Sequence, residues 1–582
     1  DRRDRDRNSD RTVGGTPVRN VRSHASKLLI GFVAVFILLA QSLAGLSTPV
    51  HAQPSEEPSQ DSGDSQKSGG SDLGSSKPLP EQFSACAAAG GNIDVLILVD
   101  ESGSLVDSDP NNARVTSGLH LVSRMSKLTK SGNLSVAVSG FGHEYSTVRD
   151  WQEVKNDGDV DNLRGAINDL SNRTSGIDTD YWTAMDEARK QLSKRAHDRG
   201  SDAKSCQAII WFSDGELDYE VRKGNMANKY GETKPFAPDI SLKTEDGTKK
   251  VEEKAREDIC RSGGLADQLR SSRVAMFGVG LGSKDGKEFD LMRSIATGKD
   301  SGGKSCGDLT DPVPGEFYLA SDIDSLLIAF DSISGLGQKP VTNDHGVCVK
   351  DFCQNEAHTF VLDNTTQDVD GFATATADGL RAAIQGPDGK IVDLKKDAKN
   401  EKTEVSGVPL TYSWETGKSL SFRLDGTSKG KIGDKGPWVG VWRLAFIADE
   451  GADSQAKSKS NLHITPGIVP AWPDKDKADV RAGSTLKDVT FALHDREGSD
   501  VPVDSITSTG KFTASFTDSA GKQTTLTDTS SFGDITKPTN WDLGNAPTGG
   551  GTLNLSLELT TASAKDSDGK EVKGTKLSPA TV

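Results

Sequence analysis

A chain of 582 residues exceeds what one hydrophobic core can organise, so several domains are expected. With 69 Lys+Arg against 85 Asp+Glu, the formal net charge is −16. An acidic surface of this kind repels phosphate backbones, which argues against nucleic-acid binding.

The first 52 residues reverse that balance, with eight basic and four acidic side chains. The basic residues run from Arg2 to Lys27 and precede a charge-free apolar run from Leu28 to Leu46. Pro49-Val50-His51-Ala52 then supplies the small or apolar residues of a cleavage site. That order is the secretory-signal pattern over residues 1–52, although the run is also long enough for an uncleaved signal anchor. Both readings put the remainder in the cell envelope or outside the cell. Residues 53–85, rich in Ser, Gly and Pro, are expected to form a flexible linker.

Six cysteines suit an oxidising compartment. Cys348 and Cys353 are close enough to close a small loop by a disulfide. Cys86, Cys206, Cys260 and Cys306 allow three pairings, among which sequence does not choose. No paired CxxC or Cys/His spacing suggests a thiolate metal site.

Over residues 86–340, apolar runs alternate with amphipathic stretches. The runs are Ile93–Val99, Leu134–Val138, Ala208–Phe212, Val274–Val279 and Glu316–Ala320, with Thr147–Val154 as a candidate antiparallel edge. Between them Val115, Leu119, Val122 and Met125 recur at helical spacing, as do Met185, Ala188 and Leu192. A last helix carries Ile323, Leu326, Leu327, Phe330 and Ile333. The pattern predicts an α/β doubly wound, mostly parallel sheet, with ligands beyond the carboxyl ends of its strands.

After Pro340 the helical period disappears. Trp438, Trp442, Leu444 and Phe446 share one face of a period-two run, which makes the two tryptophans core rather than a sugar platform. A β-sandwich is expected over 341–465 and a second over 466–582, the latter without an obvious closing strand, as if the chain continued past Val582.

The first strand runs into Asp100-Glu101-Ser102-Gly103-Ser104, and Ala208–Phe212 runs into Ser213-Asp214-Gly215. A doubly wound sheet brings these two strand ends to one crevice, and the intervening loop Gly176–Asp180 offers Thr179. Two carboxylates with three hydroxyls suit a hard cation such as Mg²⁺ or Mn²⁺, leaving a position open for an external carboxylate.

At these residues the chain resembles the von Willebrand factor type A family over about residues 90–335, and an exported bacterial protein carrying such a domain. Asp100, Ser102 and Ser104 are similar to the family's DxSxS, Thr179 to its threonine loop, and Asp214-Gly215 to its strand-plus-Asp-Gly element. The resemblance implies a metal-ion-dependent adhesion site holding one Mg²⁺ or Mn²⁺. It also implies divalent-cation-dependent adhesion, without catalysis, to a protein ligand offering a Glu or Asp carboxylate. The alternative is an envelope assembly or secretion scaffold in which the cation is mainly structural. Membrane association is expected either through the N-terminal signal anchor or through a C-terminal helix missing from this sequence, such as the resemblance implies for similar chains.

Leu217–Lys250 is longer than a usual connection and heavily charged, so it reads either as a specificity loop on the site rim or as a solvated insertion. Gly278-Val-Gly280-Leu-Gly282-Ser283 has Ser283 where the GxGxxG of a dinucleotide loop needs its last Gly. Asp157-Gly-Asp159-Val-Asp161 and Asp474-Lys-Asp476 read as acidic surface turns, and His143-Glu144 as a polar loop. No nucleophile, base and orienting group can be assembled for a hydrolase.

Overall fold

The computed structural model describes residues 77–582 apart from 89–90, 129–132, 156, 201–204, 284, 427–435, 452–454, 519–522 and 545–547. The expected export segment 1–52 and most of the expected linker lie outside the described residues. Among the described residues no helix is long and apolar enough to cross a membrane.

Six strands form the first sheet: β1 (Asn92–Asp100), β2 (Leu134–Phe141), β3 (Tyr145–Glu153), β4 (Ser205–Ser213), β5 (Ala275–Leu281) and β6 (Gly315–Ala320). Their order is β3-β2-β1-β4-β5-β6. All pairings are parallel except β2 with β3, so the antiparallel edge strand is present as expected. β1 is followed in sequence by its neighbour on one side and later joined by β4 on the other. The topological switch point therefore lies between the carboxyl ends of β1 and β4.

Both faces of the sheet are covered, which is why its strands are near-continuously apolar. Ile93, Val95, Ile97 and Val99 point to one face, against Leu121 and Val122 of helix Ala113–Leu128 and Leu326 and Phe330 of helix Ile323–Ser334. Leu96 and Leu98 point to the other, among Tyr181, Met185 and Ala188 of helix Tyr181–Arg199 and Val251, Ala255 and Ile259 of helix Glu245–Cys260. Asp94 lies on that second face, fully buried, and is held by Arg195 and Arg199.

Two expectations are corrected. Residues 79–85, placed in the linker, belong to helix Leu79–Ala88. Leu79 and Phe83 recur at helical spacing, are buried in the domain core, and overcome the polar composition around them. Asp157-Gly-Asp159-Val-Asp161, read as turns, opens helix Asp157–Asp169, because Val160, Leu163, Ala166 and Ile167 give it a buried stripe. The Gly278–Gly282 stretch has a packing explanation: a Cβ on Gly280 would lie 2.8 Å from the ring of Phe289, so glycine permits the close approach.

From Val341 onward the structure is mostly antiparallel β-sheet, with the short strand Cys348–Val349 pairing parallel to Gly440–Ala448. Strand Gly440–Ala448 carries Trp442, Leu444 and Phe446 inward, facing a six-stranded sheet that includes Thr366–Ala375, Val408–Trp414, Ser419–Leu424 and Ser458–Pro466. Trp438 and Trp442 are core, as expected. Beyond Pro466 a four-stranded sheet contains Thr509–Asp518, Gln523–Thr529, Gly551–Thr560 and a short strand, Ala580–Thr581, that the sequence did not reveal. Most buried apolar side chains from Val347 to Ala580 form one continuous cluster, with Ala357, Ala383, Ala445 and Ile447 in a smaller one beside Cys348.

Helix Ile323–Ser334 lies between helix Ala113–Leu128 and strands Thr366–Ala375 and Ser458–Pro466. Leu327 and Ile328 meet Phe372 there. At the same junction the fully buried Asp331 accepts from Arg124 Nε (3.1 Å) and Asn461 Nδ2 (3.3 Å). It also contacts His120 Nε2 at 3.2 Å and His463 Nε2 at 3.0 Å. Arg124 reaches on to Asp370 Oδ1 at 3.2 Å.

All three disulfides are formed: Cys86–Cys206, Cys260–Cys306 and Cys348–Cys353. The last is the expected pair, and the first two settle the pairing left open.

Candidate metal-binding site

The site starts where β1 ends. Asp100, fully buried, accepts the Ser102 backbone N–H on Oδ1 at 2.7 Å and the Ser213 hydroxyl on Oδ2 at 2.6 Å. The first bond tightens the turn that follows the strand, an Asx-type arrangement that presents Ser102 and Ser104 side by side. Their Oγ atoms are 2.9 Å apart. From the end of β4, Asp214 reaches the same point: Ser104 Oγ donates to its Oδ1 at 3.1 Å and Ser102 Oγ lies 3.5 Å from it. Four of the five expected residues thus form one hydrogen-bonded cluster across the switch point.

Thr179 arrives on a separate loop. That loop is stitched to the turn after β1 by Gly176 N–H to Glu101 O and Gly103 N–H to Gly176 O, both 2.8 Å. A Cβ on Gly176 would fall 2.9 Å from Glu101 O, so only glycine allows the two backbones to touch. Thr179 is buried in the short strand Asp178–Thr179 and has Asp178 and Asp180 on either side. No hydrogen bond joins its side chain to the other four residues.

Several participants escaped sequence reasoning. Ser108 donates to Asp214 Oδ2, and it sits four residues after Ser104 on the turn Leu105–Ser108, a spacing that could have flagged it. Ser213 immediately precedes Asp214 and bonds Asp100. Tyr181, packed edge-on against Trp211 at 4.6 Å, donates to Gly215 O and so braces the backbone after Asp214. Glu101, between the ligand candidates, is turned away and paired with Arg173 at 2.9 Å. His143 and Glu144 make only a 3.9 Å contact, in keeping with a polar loop.

Electrostatically the cluster is over-supplied with negative charge. Burial, and then the neighbouring Asp214, push the Asp100 carboxyl up to about 7. Asp214 is raised chiefly by burial as well. Two carboxylates forced together in a low-dielectric crevice, among hydroxyl oxygens and no soft donors, match the donor chemistry of a hard divalent cation. Among the described residues no group of three or more His, Cys, Asp or Glu is placed to hold a metal. A cation site here would rest on two carboxylates supplemented by hydroxyls.

The stretch after Asp214 is not a loose insertion. Asp218–Tyr219 pairs antiparallel with Asp178–Thr179, helix Met226–Tyr230 follows, and helix Glu245–Cys260 closes the segment. Arg222 and Lys234 within it are buried.

Residues 95–216 match the family model described as the von Willebrand factor type A domain. The type A domain is thus matched over residues 95–216. The matched span contains Asp100, Ser102, Ser104, Thr179 and Asp214. No curated protein matches the chain significantly.

Among solved structures, the chain is similar to the PilB minor pilin from Streptococcus sanguinis, with 13% identity and a TM-score of 0.29, over 42% of this chain and 60% of that one. It is similar to the pilus adhesin SpaC from Lactobacillus rhamnosus GG, with 12% identity and a TM-score of 0.28, over 84% and 56%. It is also similar to proximal thread matrix protein 1 from the mussel byssus with a zinc-occupied MIDAS motif, with 14% identity and a TM-score of 0.28, over 44% and 51%. The chain spans less than two thirds of the length of each of these proteins.

Proposed function

We propose that the type A domain binds one divalent cation, Mg²⁺ or Mn²⁺, through Asp100, Ser102, Ser104, Thr179 and Asp214. The ion is then used to capture a Glu or Asp carboxylate of a protein partner outside the membrane, without catalysis. The observation that carries this reading is the convergence of Asp100, Ser102, Ser104 and Asp214 in one hydrogen-bonded cluster at the switch point. Two carboxylates offset the ion's charge, and the neutral hydroxyls orient it without quenching its attraction for a further anion. The protein's own part is to hold these oxygens in place, and burial shields Asp100, Ser102 and Thr179 from bulk water.

Isothermal titration of the folded chain with MgCl₂ and with MnCl₂ tests the first half of the proposal. Wild type should take up one ion and Asp100→Ala none, and a silent wild type overturns the reading. The second half predicts EDTA-reversible capture of envelope proteins that is lost in Asp100→Ala.

The mutual repulsion of Asp100 and Asp214 also favours a second reading, an envelope scaffold whose cation mainly stabilises the fold. On that reading EDTA lowers the melting temperature markedly with no specific loss of partner capture.

A further inference from the structure

The charged segment after Asp214 hides two cations in its interior. Arg222 is buried and grips Asp178 with both ends of its guanidinium, Nη1 to Oδ1 at 2.8 Å and Nη2 to Oδ2 at 2.5 Å. Lys234 Nζ lies 3.1 Å from Asp178 Oδ2 and 2.9 Å from Asp180 Oδ2. Tyr219 OH donates to Asp180 Oδ1 at 2.8 Å, and Lys234 sits over the Tyr219 ring, 5.2 Å from its centroid. Lys234 also donates to the backbone carbonyl of His143, just beyond β2, at 3.2 Å.

In extended backbone, side chains alternate between faces. Asp178 and Asp180 flank Thr179 in sequence, and both are held by groups from this one segment. The Thr179 backbone itself pairs with Asp218. The residue between them is therefore fixed from both sides and along its main chain. Burying two acids and two bases is costly unless each is paired, and here each is. A solvated insertion would have no reason to bear that cost.

We propose that the segment from Leu217 to Lys243 is a clamp on the threonine loop, in which Arg222, Lys234 and Tyr219 are positioning residues that set where Thr179 stands relative to Asp100 and Asp214. This rests on the reading of Thr179 as a cation ligand. The clamp acts on the ion only through the position of Thr179, and outer partners of that kind typically change metal affinity by about 10- to 100-fold.

The test measures Mn²⁺ affinity by isothermal titration, and the Mn²⁺ electron paramagnetic resonance line shape, in wild type, Tyr219→Phe, Lys234→Met and Lys234→Arg. Metal-free melting serves as the fold control. Tyr219→Phe removes one hydroxyl and no charge, so it should fold as wild type, yet bind Mn²⁺ about tenfold more weakly with an altered line shape. Lys234→Met should weaken binding at least as much, and Lys234→Arg should recover most of it.

If Lys234 were only a positive charge near the site, Lys234→Met would bind Mn²⁺ more tightly, and that result overturns the clamp. Unchanged affinity in Tyr219→Phe overturns it too, and decides the matter even where Lys234→Met does not fold. A wild type without Mn²⁺ uptake overturns the metal reading and the clamp together. Wild-type uptake matched by the Phe and Met variants overturns the clamp alone.

Discussion

Ser104 Oγ donates to Asp214 Oδ1 at 3.1 Å, joining the loop after β1 to the loop after β4 at the switch point of the sheet. The bond brings a second carboxylate into range of Asp100, and the two acids then oppose each other's ionisation.

The first prediction concerns that opposition. The Asp100 carboxyl is raised from its ordinary range to about 7, so at pH 8 its charge destabilises the metal-free fold. Asp100→Asn should stabilise the metal-free fold at pH 8 by on the order of 1–2 kcal/mol, read as a higher melting midpoint. The same variant should abolish any midpoint increase on adding Mg²⁺. Calorimetry with EDTA and with MgCl₂ checks both.

The second concerns the junction of the type A domain with the β-region. Burial alone would raise the Asp331 carboxyl, but Arg124 and His463 outweigh it and hold it well below the usual range. Its contribution is therefore complete above about pH 4 and lost only as pH falls through the lowered value. Asp331→Ala leaves Arg124 buried beside Asp370 alone and should cost roughly 3–5 kcal/mol in urea unfolding at pH 7.

The third is a pH effect in the β-region. His358 is fully buried between Ser458 Oγ at 2.9 Å and Ser460 Oγ at 3.0 Å, with the His345 ring 5.1 Å away. Burial, then His345, lower its pKa to about 3. The unfolded imidazole titrates near 6.5, so between these values the unfolded chain holds the extra proton. Stability should fall as pH drops below about 6.5, by roughly 1.4 kcal/mol per unit from this group. The urea midpoint of His358→Gln should change less between pH 7 and pH 5 than that of wild type.

The fourth uses the Cys86–Cys206 bond, which closes a loop with a sequence separation of 120. Replacing both cysteines by Ala should lower unfolding free energy by roughly 2–4 kcal/mol in denaturant titration.

The central sheet was legible because buried parallel strands need unbroken apolar runs, and IDVLILV and AIIWF are such runs. Helix Glu245–Cys260 was not: its stripe of Val251, Ala255 and Ile259 is diluted by charges on every other face. The site was readable as far as its residues are local to strand ends. Asp100, Ser102 and Ser104 fall within five positions, and Asp214 follows a strand directly. Arg222 and Lys234 were invisible for a physical reason. A buried cation and a solvated one have the same letter, and the partners of these two lie on a different loop. The pairing of four cysteines depends on which strand base the first helix reaches, which only packing decides.

The bond between helix Leu79–Ala88 and β4 also has a mechanical consequence. Tension arriving at Leu79 from the preceding chain passes through Cys86 into Cys206, near the amino end of a strand flanked by β1 and β5. The load is thus delivered to the middle of the sheet, at the end opposite Asp100 and Asp214. Reduction of that one bond would reroute the load to the start of β1, where Asn92 begins the strand that carries Asp100 itself.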